Sequence, residues 1–186
     1  MGKVYYEIDQ HWADFINEQK MFFVGTAPLS ADGHVNLSPK GYDSFRILGP
    51  KSVAYLDLGG SGIETVAHLR ENGRITFMFC AYEGAAKILR LYGKGTATCF
   101  DDPGFDEKRK IFPDASGARA IITVQLDRIQ DACGWGVPFY EFKSERDQLQ
   151  RYHDNQDQDA GRARRYEKNV QSIDGLPGLI KPESAK

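Results

Sequence analysis

The chain has 186 residues, 41% of them hydrophobic and 27% charged, with a formal net charge of −2. That is the size and composition of one globular domain, with at most an appendage. The slight negative charge gives no sign of a polyanion-binding protein, so no nucleic-acid partner is expected, and it leaves room for a local basic site for one small phosphate. Cys80, Cys99 and Cys133 are widely spaced and form neither a disulfide framework nor a CxxC pair; they read as buried, reduced thiols of a cytoplasmic protein. There is no run of about 18 apolar residues and no signal-peptide core at the start, so no membrane span is expected.

Trp12, Phe15 and Ile16 recur at helical spacing and predict a first helix over residues 6–20. Residues 21–28 are apolar and strand-like. An Asp32-Gly33 turn follows and 35–38 returns, which makes a hairpin. Phe45 to Leu48 is a short segment before the Gly49-Pro50 turn. Residues 52–58 alternate, with Val53, Tyr55 and Asp57 on one face and Ala54, Leu56 and Leu58 on the other. Ser61 with Glu64 three residues later reads as a capping box for a helix over 63–72, and Gly73 ends it. Strands are predicted over 74–82 and 87–100, with Gly93 and Gly95 as bulge sites. A short helix is expected near 107–112. A last strand covers 119–129, with Ala120, Ile122, Val124 and Leu126 on one face. Six strands this close in sequence favour an antiparallel barrel over a doubly wound sheet. Residues 144–186 differ in composition. They read as a polar helical appendage, its start marked by Ser144 and Asp147, followed by a tail; the barrel would occupy 1–143.

Three segments have the chemistry of a binding site. The Gly-rich turn 59–65 (GGSGIET) leads into a helix, where backbone N–H groups and the hydroxyls of Ser61 and Thr65 suit an anion. It lacks the Walker lysine and the dinucleotide spacing, and an ordinary capped turn reads the same way. Ser38 and Lys40 with Arg46 place two cations near a strand end, suited to a phosphate or to a solvated loop. Trp135 between two glycines suits a wall against a planar ring or a hydrophobic plug at a barrel end. The four histidines, His11, His34, His68 and His153, form no ligand array, so no metal is expected, and His68 reads as structural.

Taken in order, residues 22 to about 98 resemble the flavin-binding core of pyridoxamine 5′-phosphate oxidase-like proteins. The resemblance is carried by Gly25-Thr26-Ala27 on an apolar strand, the Asp32-Gly33 turn, and the strand 35–40 (VNLSPK). It continues through the apolar strand 52–58, the Ser/Gly turn, the helix ending in LREN at Asn72, and the segment 90–95 (RLYGKG). The resemblance implies a mainly β (α+β) fold, a six-stranded antiparallel split β-barrel with peripheral helices and a C-terminal helical appendage. It implies FMN at the interface of a homodimer, and an oxidoreductase acting on a small molecule or electron donor. A non-catalytic flavin or haem carrier is the alternative use of such a fold. The phosphate would be held by Ser38, Lys40, Arg46, Ser61, Gly62 and Thr65, with the backbone at Leu56 and Asp57 facing the isoalloxazine and Trp135 walling the pocket. Glu64 and Thr65 stand where the family usually has Arg and Lys. The tail 172–178 lacks the Arg and His that hold pyridoxamine 5′-phosphate, which points to a different substrate.

Overall fold

The computed structural model describes residues 2–181. The elements run β1 (Val4–Tyr5), α1 (Gln10–Glu18), β2 (Phe22–Thr26), β3 (Asn36–Lys40), β4 (Phe45–Gly49), β5 (Ser52–Leu58), α2 (Glu64–Asn72), β6 (Arg74–Cys80), β7 (Ile88–Cys99), α3 (Phe105–Arg109), β8 (Ala118–Ala132), α4 (Gln148–Asp154) and α5 (Gln158–Lys168). All strand pairs are antiparallel, in the order β3-β2-β6-β7-β8-β5-β4, with β1 added beside β8. The two ends of this sheet, β3 and β4, do not pair, which makes it a split barrel.

The sheet has eight strands where the sequence predicts six. The Phe45–Leu48 segment is a full strand, β4. The other addition, β1, has only two residues and pairs Val4 with Gln130 and Tyr5 with Ile129, too short to show a period of its own. The first helix is shorter than predicted: Asp9 caps it by accepting from the Trp12 N–H at 2.9 Å, and it stops at Glu18. The predicted capping box of α2 does not form. Its N-cap is Ile63, which makes no side-chain cap bond, while the Glu64 carboxylate accepts from the Ile173 N–H instead. Gly73 does end α2, in the left-handed conformation at φ +72° that a residue without Cβ adopts freely. Ser144 does not cap α4; the N-cap is Asp147, again without a side-chain bond. Cys80 and Cys99 are buried as expected, but Cys133 is exposed because it follows the end of β8.

The main core lies inside the barrel and is built from one face of each strand: Phe22 and Val24 of β2, Val53 and Tyr55 of β5, Phe77 and Phe79 of β6, Leu89 and Leu91 of β7, and Ile122, Val124 and Ile129 of β8. Phe22, Phe45, Tyr55, Phe77 and Phe79 meet edge to face or stacked at about 5–6 Å, an arrangement aromatic rings favour. Helices α1 and α2 close the barrel with Trp12, Ile16, Val66 and Leu69. The opposite face of β5 and β8 packs a second, smaller cluster of Ala54, Leu56, Ile121, Phe105 and Phe112. This explains why β5 reads as apolar on both faces. The tail beyond α5 returns to the barrel, where Leu179 joins the main core and its N–H bonds the Asn169 carbonyl at 2.7 Å. No helix among the described residues is long and apolar enough to cross a membrane.

Of the two predicted bulge sites one holds: the register shifts between Tyr92 and Gly93, where β8 gains a residue against β7, while Gly95 pairs in register with Val124. A Cβ on Gly93 would meet the Gln125 carbonyl oxygen at 2.2 Å. Because that obstacle is backbone of the neighbouring strand, Gly93→Ala is expected to destabilise the fold by about 1–3 kcal/mol, read as a lower urea midpoint at unchanged m-value. An unchanged midpoint would mean the strands part without cost.

Candidate functional site

Strand β3 is an edge strand with Asn36, Ser38 and Lys40 at alternate positions, so their side chains share one face. Register decides which face. Lys40 lies opposite Phe22, Ser38 opposite Val24, and Asn36 opposite Thr26, all of which point inward from β2. A polar row therefore runs along the inner face of β3, and Leu37 and Pro39 point outward.

At one end of the row, the Lys40 ammonium donates to Asp57 Oδ1 at 2.8 Å. Asp57, on the inner face of β5, is 1% exposed. Its other oxygen accepts from Arg119 of β8, at 2.9 Å from Nε and 2.7 Å from Nη2. Burial pushes the Asp57 carboxyl up, but Arg119 and then Lys40 outweigh it, and it is held below the usual carboxylate range. Arg119 loses by burial and gains more from Asp57, so its guanidinium is held more firmly charged than usual. The group of two cations and one anion carries a net +1. Arg119 is itself buried and also donates from Nη1 to the Gly62 carbonyl at 2.6 Å and to Asn169 Oδ1 at 2.8 Å. One side chain thus ties the sheet, the Gly-rich turn and the C-terminal segment together. Arg119 gives no signal in the sequence, because it opens a strand that otherwise reads as core.

At the other end, Asn36 Nδ2 donates to Thr26 Oγ1 and to Thr65 Oγ1, both at 3.0 Å, and Ser38 donates to Asn36 Oδ1 at 3.1 Å. Thr26 Oγ1 is also 2.9 Å from His68 Nδ1. His68 is fully buried, and its Nε2 has no hydrogen-bond partner among the described residues. Burial lowers its pKa against the pull of Asp174, Glu64 and Glu71, so the ring is held neutral.

Of the residues singled out from the sequence, Ser38, Lys40, Asp57 and Thr65 converge here. Asn36 and Arg119 belong with them and were missed. Arg46 does not join them: it lies opposite Ala54, on the face of the smaller cluster. There it pairs with Asp43 at 2.6 Å, bonds the Ile111 carbonyl at 2.8 Å and covers the Phe112 ring. Leu56 packs its side chain in the same smaller cluster, and its N–H donates to the Ser44 carbonyl at 2.8 Å. Ser61 and Gly62 lie on the turn before α2, with Ser61 exposed and the Gly62 carbonyl taken by Arg119. Trp135 is 86% exposed. The tail lies across the start of α2: Ile173 bonds Glu64, and Asp174 accepts from the His34 N–H at 2.8 Å and meets its Nδ1 at 2.6 Å.

A phosphorylated flavin offers a dianion and a ring edged with acceptors. The β3 row fits it: the Ser38 hydroxyl and the Lys40 cation of a net-positive group share one face, and Asn36 holds the Thr65 hydroxyl of α2 beside them. The helix end fits less well, because the tail and the Glu64 carboxylate occupy its rim.

Comparison with known proteins places these features in a lineage. Residues 8–133 match the family model described as pyridoxamine 5′-phosphate oxidase. The chain is 36% identical over 206 aligned positions to the pyridoxamine 5′-phosphate oxidase family protein ustO of Aspergillus flavus, covering 95% of this chain and 78% of that protein. Two crystal structures of HupZ from Group A Streptococcus share the fold, each with a TM-score of 0.54. One is 22% identical and covers 67% of this chain, the other 20% and 72%, and each is itself matched over 99% of its length.

Two predictions follow from the charge network. Asp57→Asn leaves Arg119 buried without its counter-charge and is expected to cost about 3–5 kcal/mol of stability; chemical denaturation measures it, and a loss below 1 kcal/mol would show that Arg119 finds water or another partner. For His68, the folded pKa lies below the unfolded value of 6.5, so the unfolded chain binds more protons. Its contribution is complete above pH 6.5 and is lost as pH falls through the folded value. The thermal midpoint of the native chain should drop between pH 7 and pH 5, and His68→Gln should flatten that drop. An equal slope in the variant would assign the acid sensitivity elsewhere.

Proposed function

The chain belongs to the pyridoxamine 5′-phosphate oxidase family, and on that premise we propose that it binds FMN along β3 and acts as an oxidoreductase on a small molecule. The observation that carries this reading is the inward row Asn36–Ser38–Lys40, completed by Thr65 and backed by the net-positive Lys40–Asp57–Arg119 group. Bound there, FMN supplies hydride or single-electron transfer. The chain's own residues bind and orient. Lys40 carries the accessible positive charge, Ser38 and Thr65 offer hydroxyls, Asn36 holds Thr65 in place through its amide, and Asp57 fixes the ammonium. Glu64, held by the tail, leaves the phosphate to the β3 side. The unpartnered Nε2 of His68 is a buried polar atom close to this row, on a ring that burial holds neutral.

The reading includes a homodimer with the flavin between subunits. Support comes from the outer face of β3, where Val35 and Leu37 are 77% and 66% exposed beside the half-buried Phe23 and Met78 of β2 and β6. An apolar sheet face of this kind suits a second copy of the chain. It also includes a cytoplasmic setting, supported by three cysteines that are all free.

The test is an FMN titration followed by absorbance and by thermal midpoint, which rises with a ligand that binds only the folded state. Lys40→Gln is expected to weaken FMN by about 10–100-fold, the scale of a charge-assisted hydrogen bond, and Arg46→Gln to leave it unchanged. A colourless chain whose midpoint ignores FMN would overturn the reading. A chain that binds FMN without consuming NAD(P)H or any reduced donor would be a carrier.

A further inference from the structure

A chamber of about 760 Å³ borders Lys40 at the end of β3, where Gly41 and Tyr42 leave the strand. Its walls are the end of α1 with residues 18–21, the segment 39–42, and the β6–β7 turn at 82–84. The segment 140–146 arches over it. This strap is held at three points: the Tyr140 N–H donates to the Tyr82 carbonyl at 3.0 Å, the Phe142 N–H to Glu83 Oε1 at 3.1 Å, and the Tyr42 hydroxyl to the Arg146 carbonyl at 2.7 Å. Tyr42 has φ +60° and is the one non-glycine residue with positive φ among the described residues. A bulky side chain adopts that conformation at a cost that the surroundings must offset, and such strain gathers at ligand clamps. Here it sets the Tyr42 ring in the chamber wall and its hydroxyl against the strap.

We propose that this chamber binds a planar aromatic acid, the substrate of the flavin site, with the strap 140–146 as its cover. The inference rests on the flavin reading for the ligand's role as substrate, and on the chamber alone for its binding. The volume lies within the range of small-molecule sites. Tyr42, Tyr82, Tyr140 and Phe142 provide four aromatic side chains around it, and Tyr82 and Tyr140 already approach at 5.5 Å with their planes tilted by 46°. Rings of this kind receive another ring edge-on or offset.

Charge selects the acid. Glu18, Glu141 and Glu145 on the rim are matched in number by Lys20, Lys143 and Arg146, and all six are exposed and screened by solvent. Glu83 is a fourth exposed, solvent-screened carboxylate, and one of its oxygens accepts from the strap's Phe142 N–H. Lys40 is the one charged residue lining the chamber that is not exposed, at 21%. Its counter-charge Asp57 is shared with Arg119, so the surplus positive charge of the group emerges at Lys40. A carboxylate set against it completes the neutralisation that Asp57 begins.

The test is calorimetric titration of the full chain with naphthoate, against cyclohexanecarboxylate, which keeps the charge without the aromatic ring, and naphthylmethylammonium, which keeps the ring and reverses the charge. Naphthoate is expected to bind, with both counterparts at least about tenfold weaker. Phe142→Ala, a strap residue outside the core, should weaken naphthoate by about tenfold at an unchanged unfolding midpoint. Absence of naphthoate binding, equal binding of either counterpart, or unchanged affinity in Phe142→Ala would each overturn the inference. FMN binding without naphthoate binding removes the chamber and leaves the flavin reading. Naphthoate binding without FMN binding removes the flavin reading and the word substrate, and leaves the site.

Discussion

A carboxylate sealed inside a barrel must be neutralised, and the arrangement of this protein's site follows from how Asp57 meets that demand. Removing a carboxylate from water costs several kcal/mol even after the protein relaxes, and Asp57 is nearly inaccessible. Lys40 and Arg119 answer from opposite directions, one from the edge strand β3 and one from the central strand β8. Two cations on one anion leave a positive surplus. Because Arg119 is enclosed by the Gly62 carbonyl and Asn169, that surplus reaches the surface only at Lys40. The same pairings fix the turn before α2 and anchor the segment after α5, so the electrostatic centre is also a mechanical one.

The split in the barrel gives this centre its access. An edge strand has one side unpaired, and β3 combines that freedom with a two-residue period that sends Asn36, Ser38 and Lys40 inward and Val35, Leu37 and Pro39 outward. One strand therefore carries a polar row on its inner face and an apolar row on its outer face. A fully closed barrel of the same residues would bury the row against a neighbouring strand. The row is continuous with the threonines and His68 behind it, and Lys40 also borders the chamber under the strap. A flavin on the row and an aromatic acid in the chamber would then share one positive charge.

Much of the fold was legible from alternation and turn residues. The faces of 52–58, the strand over 119–129 and the bulge at Gly93 are as the pattern predicts, because the period of a strand and the lack of a Cβ are local properties. Family membership was legible from the ordered set of segments between residues 22 and 98, and the match over residues 8–133 agrees with it. Lys40, Ser38 and Thr65, which lie together, could be singled out because cations and hydroxyls near strand and helix ends are visible in a sequence. Arg46 was grouped with them for the same reason, and it lies apart from the row because nothing local tells which face of a short edge strand a cation lies on; its partner Ala54 decides that.

What the sequence determined by itself was the class of elements, their order and the residue types available to a site, all set by chemistry within a few positions. What only the tertiary structure decided was which of those residues meet. Arg119 lies 62 positions from Asp57 and Glu64 lies 109 from Ile173, separations across which no local pattern extends. The capping box at Ser61 failed because a tail more than a hundred residues away offered Glu64 a competing N–H. The strap over the chamber exists only because residues 140–146 return to the end of α1. Contacts of this kind come from strand register and chain return, which depend on the packing of the whole molecule.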